Sequence, residues 1–516
     1  MPTERLPERL MPLAAKFGVQ AYYGDIHNHC AISYGHGSLE GALENARQQL
    51  DFVSVTGHAY WPDMPVDDPS VAHIVAFHVE GFARLKQLWP GHFATLKKYH
   101  DAGKFTVFPG YEMHSCAHGD YTIVLRELDN QAMPMADTPA ELLAALRQEF
   151  GDAAFAFPHH IGYRTGARGI NWQSFNEELS PVLELISMHG CSESSLVERP
   201  FLHSMGPCDG VNTVHNGWNR GHVFGVIGNT DHHSGHPGSY GHGRGAVYAP
   251  ENTSATIWGA IHARHCNALT GDNCHLFGML DGTMQGGFVS PTANAMLDVE
   301  AIGGSAIDFI DVVKNGHVIQ RITPAVTPSP VDSDASGIES LLTLELGWGS
   351  RGTHQDWIGS LALEGGEILS LEPRLRGPEV VSPTEGKARV QRQNVLTREG
   401  NRVQFDVRSY SNPNNSTPST QSFCCRVRLS ADAIIRAEFG DVHIEVPAER
   451  LAMGALSGNL GAIDTPAFRF HPLIRPEQWQ WHGRLAAGPL KQGDWVSLRM
   501  RQLNGQWVWS SAFFCR

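Results

Sequence analysis

Four things are missing from this sequence, and each absence closes off a class of protein. No apolar run reaches the roughly 18 residues of a membrane-spanning helix, and the opening stretch MPTERLPERLMPLAAKFG carries charges where a secretory leader needs unbroken apolar residues. The expectation is a soluble, cytoplasmic chain with no membrane partner. No CxxC spacing occurs among the nine cysteines (Cys30, Cys116, Cys191, Cys208, Cys266, Cys274, Cys424, Cys425 and Cys515), so neither a disulfide framework nor a thiolate zinc site fits. Positive charge is short, with 39 Lys and Arg against 53 Asp and Glu, a net charge of −14. That leaves no broad basic footprint for nucleic acid and argues against a polymerase-associated nuclease. Internal repeats and heptads are absent as well.

What is present is enough chain for two domains, 516 residues of which 41% are apolar. Histidine is the anomaly. Of 28 histidines, 23 fall between Asp25 and His275. Imidazole is the commonest protein ligand for metals at neutral pH, so chemistry belongs to the first half.

From about residue 20 to 275 short apolar runs alternate with helical patterns. Candidate strands are Phe52–Thr56, Phe105–Phe108, Ala153–Phe157, Val182–Ser187 and Val223–Gly228, separated by helix-like stretches such as Leu39–Leu50, Val71–Tyr99 and Pro139–Phe150. The rhythm predicts parallel strands with helical crossovers, as an α/β barrel or a doubly wound sheet. Each run leads within a few residues to a polar group: His58, Glu112, His159, His189 and Asp231 in turn. Strand ends that converge on one face favour the barrel. Beyond residue 286 the texture becomes strands and turns. Asn315-Gly316 and Asn504-Gly505 mark hairpins, Ser411–Ser422 reads as a polar loop, and a β-sandwich is expected. The divisions are 1–20 as an extension, 21–286 as the metal-binding barrel and 287–516 as the β-rich domain.

Six short motifs carry candidate chemistry. GDIHNHC offers His27 and His29, which in extended chain point to one side and can share a metal; two surface histidines at a turn would look the same. VSVTGHA carries His58 at the C-terminus of a β-branched run, where such a residue taken singly is more often a strand-end cap than a ligand. FPGYEMH supplies Glu112, a carboxylate able to bridge two cations or merely to sit in a loop. FAFPHHIGY presents His159 and His160, of which alternation lets only one face inward. LELISMHG brings His189 out of an apolar strand, and GVIGNTDHHSGH sets Asp231 and His233 two apart, a carboxylate and imidazole pair suited to Zn, Mn or Fe(II). Six such hints at successive strand ends are poorly explained by chance.

In this order, HxH, T-x-H, P-G-x-E, P-H, a strand-end His and D-x-H, the residues from about Tyr22 to Gly271 resemble the PHP (polymerase and histidinol phosphatase) superfamily. The likeness is to a bacterial branch that joins such a domain to a β-rich C-terminal region, and amidohydrolases are similar in fold and chemistry. The segments LTGDNCHLFGMLDG, VVKNG and QWVWSSAFF resemble that branch too. The resemblance implies a distorted (β/α)7 barrel with two or three divalent ions (Zn, Mn or Fe). It implies a first metal among His27, His29, Glu112 and Asp231, and a second bridged by Glu112 to His159 and His189. A third falls to His58 and His233 with a further histidine, for which His36 is the candidate. One departure is plain: the family reads T-D-H where this chain has Thr56-Gly57-His58.

The reaction this implies is hydrolysis. Cations about 3.5–4 Å apart lower the pKa of a shared water from roughly 15.7 toward 7, with Asp231 or His233 moving the proton to the leaving group. Arg164, Arg168 and Arg244 stand in loops where a guanidinium would clamp a phosphate or carboxylate, and Tyr163 with Tyr34, Trp61 and Trp172 lies near the mouth. A small organic phosphoester is the expected substrate. Hydrolysis of a C–N or C–O bond is the alternative, a non-catalytic binding protein is a further one, and self-association is left open.

Overall fold

The computed structural model describes residues 6–199, 201, 205–324, 337–350, 352–378, 392–410 and 420–516. In chain order the strands of the first half are β1 (Gln20–Asp25), β2 (Phe52–Tyr60), β3 (Thr106–Met113), β4 (Asp120–Leu125), β5 (Ala154–His159), β6 (Val182–Ser187), β7 (Gly190–Cys191), β8 (Gly225–Gly228), β9 (Arg244–Ala249) and β10 (Cys266–Leu269). The helices are α1 (Pro12–Lys16), α2 (Leu39–Gln49), α3 (Ala72–Tyr99), α4 (Pro139–Phe150), α5 (Val214–Asn219) and α6 (Ser254–His262). Helix starts are chemically marked. The Ser38 side chain accepts the Gly41 N–H ahead of α2, and Thr138 and Glu141 form a reciprocal capping box on α4; such caps are each worth about 1 kcal/mol. The long α3 buries Leu85, Trp89, Phe93 and Leu96, a helical stripe that packs with Val53, Val55 and Val107 of the sheet. Among the described residues no helix is long and apolar enough to cross a membrane.

The mixed α/β half and the strand-rich half are both present, but the strand directions differ from the expectation. β1, β2 and β3 are parallel, as are β6 and β8. β4 runs antiparallel to both β3 and β5. Only residues 114–119 connect β3 to β4, too few for a crossover, which needs a dozen or more, so the chain must double back. β9 pairs antiparallel with β1 and with β10.

The ladder runs β10-β9-β1-β2-β3-β4-β5, while β6, β7 and β8 make a separate sheet. β6 packs beside β5, and β8 beside β9 and β10. Among the described residues, however, no ladder closes the ring that the expected barrel requires. At the seam, the Ala156 N–H of β5 bonds to the Leu179 carbonyl, ahead of β6 rather than on it.

From β10 the same hydrogen-bonded sheet continues into Trp507–Ser510, then Trp495–Gln502, then Ile307–Lys314 and His317–Ile322. Strands from beyond residue 286 thus extend the sheet that carries the first half. Both expected hairpins form, and Asn315 and Gly316 take left-handed φ values of 50° and 84° at the first of them. A four-stranded sheet includes His275–Leu280, Thr292–Ile302 and Gln480–Leu490, and an eight-stranded sheet is built on His354–Arg374 and Gln421–Phe439. Of the expected polar loop, residues 411–419 lie outside the described residues, whereas Gln421 and Ser422 already belong to a strand.

Candidate metal centre

The carboxyl ends of β1, β2, β3, β5, β6 and β8 deliver polar side chains to one buried bowl. Glu112 stands at its middle. Its Oε1 lies 3.1 Å from His159 Nε2 and 3.3 Å from His114 Nδ1; its Oε2 lies 3.2 Å from His29 Nε2, 3.2 Å from His58 Nδ1 and 3.4 Å from His27 Nε2. Asp231 is the second hub. Its Oδ1 is 2.9 Å from His29 Nε2 and 3.4 Å from His27 Nε2, and its Oδ2 is 3.0 Å from His160 Nε2 and 3.2 Å from His189 Nε2. His58 Nε2 faces His233 Nε2 at 3.3 Å.

Local backbone makes this possible. Asp25, buried at the end of β1, accepts from the Thr230 hydroxyl and from the N–H groups of His27, Thr230 and Gly238, which ties the His27 turn to the loop after β8. The Asp231 N–H donates to the His27 carbonyl and the His29 N–H to the His232 carbonyl. Asp231 and His160 both adopt φ of 52°. At His160 that left-handed turn ends the alternation of β5, so His159 and His160 both face the bowl. The expectation that only one would do so fails for this reason.

The residues fit divalent cations. Zinc bound at about 2.0–2.1 Å sets its tetrahedral ligand atoms about 3.3–3.4 Å apart, the spacing found from His27 Nε2 to Glu112 and Asp231 and from His58 to His233. His27 Nε2, Glu112 Oε2 and Asp231 Oδ2 are buried without any aligned hydrogen-bond partner, a costly arrangement unless a cation completes it. Groups able to hold an ion include His27, His29 and Asp231; His27, Glu112 and His159; His29, His58 and His233; and His58, Glu112 and His114.

Charge supports the same reading. Burial alone would raise Glu112, but the imidazoles of His58, His114 and His159 hold its carboxyl well below the usual range. Asp231 is likewise held down, against its burial, by His27, His189 and His160. Burial pushes His58 and His160 well below an ordinary imidazole and His233 down to about 3, which leaves neutral rings with lone pairs. His27 goes the other way: burial opposes its charge, yet Asp231 and Glu184 raise it well above the usual value.

Four participants escape the sequence patterns. His114 lies two residues past Glu112, and the same-side rule applied to His27 and His29 would have found it. Glu184, whose Oε2 is 2.7 Å from His27 Nδ1, was signalled by a lone carboxylate inside the apolar run VLELIS. His160 was hidden by its backbone turn. Asp120, 3.2 Å from His114 Nδ1, opens β4 and reaches the bowl because that strand runs backwards.

The other candidates divide. His189 faces Asp231 rather than Glu112, and the described contact of His36 with the bowl is through its backbone N–H, which donates to the His233 carbonyl. Arg168 lies at the rim: it bonds Asp120, approaches His114 Nδ1 at 3.0 Å and covers the Trp61 ring. Burial opposes its charge, but Asp120 pushes its pKa above that of an ordinary guanidinium. Tyr163 is buried beside His160, with ring centroids 5.4 Å apart. Arg164 is exposed. Arg244 is not at the mouth: it is fully buried on β9, and its guanidinium is consumed by Gly238, Gln49 and Asn273. Trp172 stacks with His222 and Phe224, and its Nε1–H bonds the Val211 carbonyl. At Gly57 a Cβ would point at Leu85 and Ile32, into apolar core rather than into the bowl.

No family model matches the chain and no curated protein does. Among solved structures it is similar to a two-domain protein containing a predicted PHP-like metal-dependent phosphoesterase from Bacteroides vulgatus, at 12% identity over 91% of this chain and 96% of that one, with a TM-score of 0.32. It is also similar to PsfC from Pseudomonas syringae, at 17% identity over 47% of this chain and 88% of that one, with a TM-score of 0.30.

Proposed function

We propose that this chain is a metal-dependent hydrolase that cleaves a small organic phosphoester. The observation that carries the reading is the bowl itself: two buried carboxylates held anionic, ringed by imidazoles at ligand spacing, with orphaned ligand atoms aimed inward. His27, His29, His58, His159, His160, His189 and His233 with Glu112 and Asp231 would hold two or three ions. Divalent cations bound there supply an activated water and polarise the oxygen that gains charge. Glu112, at the middle of the bowl, would be among the ligands. Asp231, whose Oδ2 lacks an aligned donor, takes the proton, with His233 beside it. Arg168, one-fifth exposed at the rim, offers its remaining edge to a phosphate oxygen.

Elemental analysis of protein purified without added metal should find two or three transition-metal ions per chain, and the loaded protein should turn over an aryl phosphate and be inhibited by vanadate. His27→Ala should lose both metal and turnover while folding. A metal-loaded protein inert toward every phosphoester would overturn the substrate class, and a protein devoid of metal and indifferent to chelators would overturn the whole reading.

A further inference from the structure

Asp231 and His233 reach the bowl from the stretch 229–243, between β8 and β9, which forms neither helix nor strand. It holds four glycines, of which Gly235 and Gly238 stand at left-handed φ values of 62° and 69°. A chain of this kind has many conformations open to it, whereas functional ligands must be held to within about 0.5 Å. One side of the stretch is tied to the first half, where the Asp231 N–H donates to the His27 carbonyl and the Gly238 N–H to Asp25.

The other side is tied to the β-rich half. Past the end of the long strand His354–Arg374, residues 375–378 form a strap along the stretch. The Tyr240 N–H donates to the Leu375 carbonyl at 2.9 Å, the Gly377 N–H to Ser239 Oγ at 3.1 Å, and Arg376 Nε to the Tyr240 carbonyl at 3.1 Å. Ser234, fully buried next to His233, donates through its hydroxyl to the Pro378 carbonyl at 2.9 Å, and the same Oγ lies 3.0 Å from His232 Nδ1. Gly377 packs against this segment so closely that a Cβ there would come within 2.6 Å of His236 Cβ and 2.7 Å of His232 Cε1. His232 is the residue between Asp231 and His233. The strap is itself fixed to the strand Gln421–Phe439: the Gln421 side-chain amide accepts from the Arg376 N–H and donates to the Arg376 carbonyl, both at 2.8 Å.

Two of the ion-holding groups draw on the stretch, His27 with His29 and Asp231, and His29 with His58 and His233. Two do not, His27 with Glu112 and His159, and His58 with Glu112 and His114. We infer that Ser234 and Gly377 are positioning residues through which the β-rich half sets the places of Asp231 and His233. The metal centre is then complete only when both halves are folded together. The inference rests on the metal-centre reading above, and its test separates the two.

Co2+ is titrated into the chelator-stripped full chain and followed by d–d absorption and by equilibrium dialysis. The native chain is expected to take up two or three ions, and Asp231→Asn marks the binding steps that depend on the stretch. Ser234→Ala, which removes the oxygen joining His232 to the strap, should weaken those steps about 10–100-fold and leave at least one other step as it was. Gly377→Ala, acting from the opposite half, should weaken the same steps. Val403→Ala is the control for lost stability, because Val403 is fully buried in the eight-stranded sheet; it should lower the melting temperature and move no binding step. A Ser234→Ala or folded Gly377→Ala protein that titrates like the native, an equal loss at every step, or the same loss in Val403→Ala would overturn the inference. Should Gly377→Ala fail to melt cooperatively, Ser234→Ala decides by the same criterion. A native chain that binds no Co2+ refutes the metal centre and the inference with it, whereas a native chain that binds Co2+ beside unaltered variants refutes the inference alone.

Discussion

Glu184 shows what one buried carboxylate does behind a ligand. It accepts from His27 Nδ1 at 2.7 Å and from the Asn229 amide at 3.1 Å, so the Nε2 of His27 is the nitrogen turned to the bowl. Partners of this kind orient the ring and raise its basicity. Glu184→Gln is expected to weaken metal binding about 10–100-fold in a chelator competition; unchanged affinity would remove Glu184 from the site. His92 is a different case, a buried ring on α3 stacked on Trp89 with neither nitrogen hydrogen-bonded. Burial holds it down to about 4, against about 6.5 in an unfolded chain. The unfolded state therefore binds the extra proton, and the stability His92 contributes is complete above about pH 6.5 and lost as pH falls through 4. His92→Leu should match or exceed the native melting temperature at pH 8. Its lead should widen toward about 3 kcal/mol between pH 6.5 and 4, and thermal scans at several pH values check this; a constant lead would show that the ring is not titrating.

At the scale of elements, β2 presents alternate residues to opposite sides, and His58 faces the bowl because Gly57 faces Leu85 and Ile32. The carboxylate that the family resemblance places at position 57 would thus be buried in apolar core. Gly57→Asp is expected to cost more than about 3 kcal/mol, the price of an unpaired buried charge, and to add no metal. A folded variant with an extra bound ion would contradict that geometry. The same strand explains what the sequence disclosed. Apolar runs located β2, β3, β5, β6 and β8 within a few residues, and their ends named most of the bowl. Pairing direction was not legible, because a period of two is the same in parallel and antiparallel ladders, and only the short link 114–119 decides it. β4 and Asp120 were lost with it. His160 was lost because a left-handed residue breaks the rule by which side chains are assigned to faces.

For the whole molecule, the bowl gathers residues from His27 to His233, so cations bound there stabilise every element that supplies a ligand. An ion present at a thousand times its dissociation constant adds about 4 kcal/mol per site. Chelation should therefore lower the melting temperature, and added Zn, Mn or Fe(II) should restore it. A melting temperature indifferent to chelators would mean that the ligands are held without metal.

The continuation of the sheet from β10 into Trp507–Ser510 has a bearing on how the protein is made. Roughly 240 residues separate the two strands along the chain. At about 5–20 residues per second, a ribosome needs about 12–48 seconds after delivering the first strand to deliver the second. Throughout that interval the growing chain exposes one row of backbone amides and carbonyls with its proper neighbour still unsynthesised. A nascent chain in that condition is a client for holding chaperones.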